Sequence, residues 1–294
     1  MESLSYSPCQ LCARGCGVDR SGGKLGFCRS DDTARITRAA LHFWEEPIIS
    51  GTRGSGTIFF SGCSLGCIFC QNRAISRSAV GRAVSPDDLA REMLRLEREG
   101  AHNINFVTPT HFAPSVMESV AVARGLGLTL PIVYNTGSYD TVQTLRALEG
   151  SVDIYLPDLK YYRPESAERL SAAKDYPLVA REAIAEMVRQ HPTPVIKDGI
   201  MQSGVVVRIL LLPSHLAEAK LSLKYLYDTY GDNIYISLMN QYTPMPGMAS
   251  PLDRTVTNAE YSELVGYAER LGVVNAFIQE GGTQKESFIP DFEV

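Results

Sequence analysis

Residues 58–72 read IFFSGCSLGCIFCQN. An apolar, strand-like run stops at Ser61-Gly62, and Cys63, Cys67 and Cys70 then arrive within eight residues, with no fourth cysteine nearby. A cubane [4Fe–4S] cluster is normally held by four thiolates, one per iron. Three thiolates leave one iron open to a further ligand. Gly62 and Gly66 suit a loop that wraps closely around such a cluster, and Phe69 would shield one side of it. The same three cysteines could instead pack as small apolar side chains, or bind zinc with a distant histidine.

Outward from this loop, short β-branched runs alternate with helical patterns. TIFF (57–60), INFV (104–107), IVY (132–134), VDIYLP (152–157), VVVRILLL (205–212), IYISL (234–238) and VVNAFIQ (273–279) read as strands. Between them, SPDDLAREMLRLEREG (85–100) reads as a helix. Ser85 stands at its N-cap, Pro86 at the first helical position, and Leu89, Met93 and Leu96 share one face. Further helices are expected around 114–124, 140–148 and 164–190, and after each of the later strands. The alternation predicts parallel β/α units, and periodicity alone does not separate a doubly wound sheet from a barrel. The chain divides into a Cys-rich N-terminal metal-binding segment, 1–55, and a larger β/α scaffold, 56–294. That scaffold ends in the tail EGGTQKESFIPDFEV, whose Phe288, Ile289 and Phe292 are expected to dock on the body.

All seven cysteines fall within the first 70 residues, and an odd number cannot pair completely. Cys9, Cys12, Cys16 and Cys28 form a second group with spacing x2, x3 and x11. Four thiolates with no open position predict a closed site, either structural zinc or an auxiliary [4Fe–4S] cluster. The N-terminus lacks the basic start and apolar core of a secretory signal, and no apolar run is long enough to span a bilayer. A cytoplasmic location is expected, where clustered cysteines hold metal more often than they form disulfides. With a net charge of -5 and no basic stripe, neither nucleic acid nor membrane is expected as a partner.

The stretch LHFWEEP (41–47) carries His42, the sole tryptophan Trp44, and the pair Glu45-Glu46. Paired carboxylates can do acid–base work. Neighbours on a strand point to opposite faces, so a hairpin packing Phe43 or Trp44 onto the scaffold is the preferred reading.

The motif GCSLGCIFCQN resembles the cluster loop of the radical S-adenosylmethionine (SAM) superfamily in its spacing, its place after the first strand and its aromatic at Phe69. The wider stretches CQLCARGCG, GFCR and HFWEEPIISGTRGSGTIFFSGC are similar to the branch related to pyruvate formate-lyase activating enzymes. This resemblance implies an α/β fold, a partial β/α barrel of about six parallel strands, with cluster and SAM at the C-terminal ends of the strands. It implies reductive cleavage of SAM to a 5′-deoxyadenosyl radical for hydrogen abstraction, with a reductant such as flavodoxin or ferredoxin. The substrate would be a glycyl radical enzyme, another protein or peptide, or a small molecule; an iron–sulfur electron carrier is the non-catalytic alternative. Where the family has a Gly-Gly-Glu segment for the SAM amine, this chain has Thr108-Pro109-Thr110-His111. By resemblance Thr108, Thr110, Asn135 and Thr136 would meet SAM, and Asp158 and Lys160 the substrate mouth. Arg208 and Asn240, the latter followed by Gln241, would meet the SAM carboxylate and ribose, and His111 is the candidate functional histidine. Asp158 and Lys160 could equally pair with each other, and Arg208 with a core carboxylate.

Overall fold

The computed structural model describes residues 4–279 and residue 292. Ten strands form its sheet: β1 (Arg35–His42), β2 (Ser55–Phe60), β3 (Arg82–Ala83), β4 (Ile104–Val107), β5 (Ile132–Thr136), β6 (Ile154–Pro157), β7 (Val195–Lys197), β8 (Ile200–Leu210), β9 (Tyr235–Met239) and β10 (Ala276–Ile278). The strand order is β10-β9-β8-β6-β5-β4-β2-β1-β3, with β7 paired to β8. From β2 through β4, β5, β6, β8 and β9 to β10 every pairing is parallel. This is the partial β/α barrel, six strands plus a three-residue seventh.

The helices form where local chemistry favours them. In Pro86–Arg98, Ser85 accepts from the Asp88 amide while Asp88 reaches back to the Ser85 amide, a capping box. Leu89, Ala90, Met93 and Leu96 are buried against the sheet, and Gly100 ends the segment with φ +95°. The helical segments expected over 164–190 are two helices, Pro164–Ser171 and Tyr176–Gln190. They are separated by Ala172 in the left-handed conformation at φ +47°.

Strand periodicity places the functional groups. Ile49, Val133, Ile154, Leu156, Met201 and Val206 form one apolar cluster. Two residues further along the same strand faces come Asn135, Asp158 and Arg208. Alternation therefore stacks a polar layer directly on an apolar floor, at the C-terminal end of the parallel strands.

Two features were not legible beforehand. β1 pairs antiparallel with β2, so residues 35–42 of the N-terminal segment continue the same sheet as the barrel. β8 begins at Ile200, not 205, because Asp198 (φ +51°) and Gly199 (φ +77°) turn a hairpin from β7. In the tail, Phe292 meets Phe59 edge to face at 5.4 Å; Phe288 and Ile289 lie outside the described residues. No described helix is long and apolar enough to cross a membrane.

Candidate active site

Cys63, Cys67 and Cys70 line one cavity of about 150 Å³ together with Thr108, Thr110, Asn135, Thr136, Asp158, Lys160 and Arg208. Gly62 opens the loop at φ +83°, and a Cβ there would stand 2.5 Å from the Cys28 carbonyl oxygen, so only glycine fits. Burial, reinforced by the neighbouring thiols, pushes Cys63 up to about 12 and raises Cys70 as well. As free thiols these groups stay protonated at neutral pH, and a bound metal would deprotonate them. The Ser171 hydroxyl donates to Cys67 Sγ at 3.0 Å. Among the described residues, no three His, Cys, Asp or Glu side chains converge on a single-ion site. Three thiols set around a cavity suit a polynuclear cluster, where each thiolate serves a different iron. The donor set therefore fits the group expected of the loop.

Beneath the cavity runs a charge network. Asp158 Oδ2 accepts from Lys160 Nζ at 2.6 Å and Oδ1 from Arg208 Nε at 2.8 Å. Arg208 Nη2 donates to Asn135 Oδ1 at 2.6 Å, and Nη1 lies 3.3 Å from Glu45 Oε2. Glu45 Oε1 accepts in turn from Asn105 and Asn135. Burial alone would raise Asp158, but Arg208 and Lys160 hold its carboxyl below the usual range. Burial alone would lower Lys160, and Asp158 outweighs it, so the ammonium is held above its usual value. Burial raises both Glu45 and Glu46, against the pull of Arg208. Asp158 and Lys160 thus pair with each other and still line the cavity, and Arg208 is both satisfied by carboxylates and part of the wall.

The threonines are partly engaged elsewhere. Thr136 Oγ1 donates to the buried Asp140 at 2.6 Å and lies 3.3 Å from Thr110 Oγ1, while Tyr134 donates to the other Asp140 oxygen. Thr108, at the tip of β4, takes φ +58°, an uncommon region for a β-branched residue. Phe69 is buried against Tyr161 and Tyr242 and lines a second cavity, of about 210 Å³, which shares Cys67, Cys70, Asn135, Asp158, Lys160 and Arg208 with the first. His42, Trp44, Glu45, Phe59 and Gln241 also line it.

Two of the residues expected to meet SAM or substrate stand apart from both cavity linings. His111 is buried with Nε2 2.8 Å from the Ser61 carbonyl oxygen and its ring against Phe112. Burial and nearby Arg20 push it down to about 3, so it is neutral. It wedges behind the cysteine loop, because the turn Thr110–Phe112 directs its side chain toward Gly62. Asn240 is buried, its backbone N–H donating to Gln279 Oε1, and the next residue, Gln241, reaches the second cavity instead. Sequence reasoning passed over Glu45. Phe43 and Trp44, expected to pack, are 49% and 59% exposed, and Glu45 turns inward. The signal was the adjacent pair itself: it follows the end of β1, in a bend that leads into the short helix Pro47–Ser50, so strand alternation does not part the two carboxylates.

Cys9, Cys12, Cys16 and Cys28 come together behind this loop. Burial pushes Cys12 up to about 12, reinforced by the other three thiols. The Arg20 guanidinium, fully buried, has Nη1 3.6 Å from Cys9 Sγ and 2.6 Å from the His111 carbonyl oxygen. All seven cysteines are free of disulfides.

A parallel barrel whose strand ends face a three-cysteine loop defines a radical SAM fold, and residues 57–214 match the radical SAM superfamily. The chain belongs to that superfamily. It is 31% identical over 248 residues to an uncharacterized protein of Methanocaldococcus jannaschii, covering 81% of this chain and 67% of that one. Among solved structures it is similar to a radical SAM methyltransferase from Sphaerobacter thermophilus (TM-score 0.54, 16% identity, 77% of this chain and 67% of that chain). It is also similar to Streptococcus suis SuiB bound to S-adenosylmethionine (TM-score 0.50, 10% identity, 75% and 49%). HydG, a maturase of the [FeFe]-hydrogenase, gives a TM-score of 0.53 at 15% identity over 79% and 53% of the two chains. The chain thus spans about half the length of SuiB and HydG. At these identities the likeness is one of fold. The family implies a [4Fe–4S] cluster and SAM.

Proposed function

We propose that this chain reductively cleaves SAM and uses the resulting radical to abstract hydrogen from a substrate in the second cavity. One observation carries the reading: three cysteine thiols and the layer Asn135, Asp158, Lys160 and Arg208 face a common space. The cluster, when bound, supplies the electron that breaks a carbon–sulfur bond of SAM. The protein supplies binding, orientation and exclusion of water. Cys63, Cys67 and Cys70 hold the cluster. Thr108 and backbone carbonyls at the β4 tip receive the SAM amine in place of the missing carboxylate. Phe69, packed against Tyr161 and Tyr242, shields one side of the cluster. Asp158 and Lys160 sit between the two cavities, each fixed by the other, and orient the substrate. Cys9, Cys12, Cys16 and Cys28 hold a second metal group, zinc or an auxiliary cluster; since they do not converge on a single-ion site, the cluster suits them better.

Activation of a glycyl radical enzyme rests on the sequence resemblance alone. A peptide segment is supported by the aromatic rim, where Trp44 borders the second cavity and lies half exposed beside Phe43. SuiB, of the same fold, has been seen bound to its precursor peptide SuiA. Anaerobic turnover of SAM and dithionite with deuterated candidates tests this. Deuterium appearing in 5′-deoxyadenosine only with a protein or peptide supports the reading, and transfer from small molecules alone contradicts it.

A further inference from the structure

The geometry points to Arg14 as a positioning residue for the Cys63–Cys67–Cys70 loop, and through it for the cluster's electronic environment. The inference rests on reading those three cysteines as cluster ligands. Arg14 stands between Cys12 and Cys16, far from the loop in sequence, and its guanidinium spends its donors on four carbonyls. Nε donates to Ser64 O at 2.8 Å and Nη2 to Leu65 O at 3.0 Å, both inside the three-cysteine loop. Nη2 also donates to Ser171 O at 2.8 Å, and Nη1 to Ala172 O.

Those last two carbonyls end the helix Pro164–Ser171, where the dipole favours a cation. The same Ser171 donates its hydroxyl to Cys67 Sγ, and Tyr161 OH lies 2.6 Å from that hydroxyl. The loop meets the helix end again through the Ile68 amide, which donates to Leu170 O at 2.9 Å. One planar fork therefore grips Cys67 from both sides: the loop that carries it, and the helix end that hydrogen-bonds its sulfur.

The fork is itself fixed by the Cys-rich segment. The guanidinium carbon lies 3.8 Å from the centre of the Phe27 ring, next to Cys28, and 5.2 Å from that of Tyr139. The Ala13 amide donates to Tyr139 O, and Cys12 forms a bridge with Asp140. The N-terminal segment is thereby mechanically coupled to the cluster loop, not merely adjacent to it. A lysine would keep the charge but could not reproduce four directed bonds.

The test uses the full chain, anaerobically reconstituted, with Arg14→Gln, Arg14→Lys and Ser171→Ala. Readouts are the electron paramagnetic resonance spectrum of the reduced cluster, its midpoint potential, and the rate of iron loss to a chelator. The signal of the three-cysteine site is assigned by difference from Cys67→Ala. Arg14→Gln is expected to lose iron from this site roughly tenfold faster or more, as when outer-shell partners of metal ligands are removed, with an altered spectrum. Arg14→Lys should fall between, and Ser171→Ala should shift the potential with little change in iron loss. Wild-type spectrum and iron retention in Arg14→Gln would overturn the proposal. If that variant does not fold, wild-type behaviour of Arg14→Lys overturns it and faster iron loss supports it. Failure of the cluster reading is distinguishable, because wild type and Cys67→Ala would then hold equal iron.

Discussion

Arg208 and Asp158 meet through Nε and Oδ1 at 2.8 Å at the boundary between the two cavities. Both are nearly removed from solvent, and Lys160 closes on the other carboxylate oxygen. A buried pair of this kind adds little net stability, but removing one partner strands the other charges. Asp158→Ala is therefore expected to cost about 3 kcal/mol in chemical denaturation. Its coupled turnover should fall more than its uncoupled SAM cleavage, and Lys160→Ala should show the same inequality. Equal losses in both assays would place the two residues at SAM or in the scaffold.

Thr108 permits a cleaner separation of backbone from side chain. At φ +58° its conformation is one that glycine adopts without strain. Thr108→Gly should be neutral or stabilising by about 1 kcal/mol, the low end of such strain. Thr108→Val keeps the strain and loses the hydroxyl, so calorimetry should find SAM binding weakened several-fold at unchanged stability, the loss of about one hydrogen bond. Unchanged SAM affinity in Thr108→Val would remove the hydroxyl from the binding site.

His111 and Glu46 predict opposite pH dependences. His111 is held at about 3, below its ordinary 6.5, so the unfolded chain binds the extra proton between those values. Its stabilising contribution is complete above pH 6.5 and fades as pH falls toward 3, by about 2 kcal/mol between pH 7 and 5. Glu46 is raised by burial, and its Oε2 has no hydrogen-bond partner. The folded state then binds the extra proton, and stability falls as pH rises above the ordinary carboxylate value. His111→Gln should flatten the acid side of the stability profile and Glu46→Gln the alkaline side. Unfolding midpoints measured from pH 5 to 8 check both signs.

Much of this was readable in advance because periodic patterns and cysteine spacing are local. The helix from Pro86, the parallel units and both cysteine groups follow from short-range chemistry. β1 escaped because its burial is irregular, with Arg35 and Arg38 interrupting any alternation. Asp158 and Lys160 were reached through family likeness, whereas Glu45 and Arg14 act through partners 163 and 158 residues away. No single-sequence period reports such contacts. His111 shows the reverse case: a histidine beside a strand end invites a catalytic reading, and the Thr110–Phe112 turn buries it behind the loop.

The proposed function requires Cys63, Cys67 and Cys70 to hold an open-iron cluster competent for SAM cleavage. The most direct measurement is 5′-deoxyadenosine formed by anaerobically reconstituted protein given SAM and dithionite, compared with Cys67→Ala. Slow uncoupled cleavage is expected of the wild type and none of the variant. Cluster-replete protein that binds SAM yet forms no 5′-deoxyadenosine with any reductant would contradict it, and would point instead to an electron carrier.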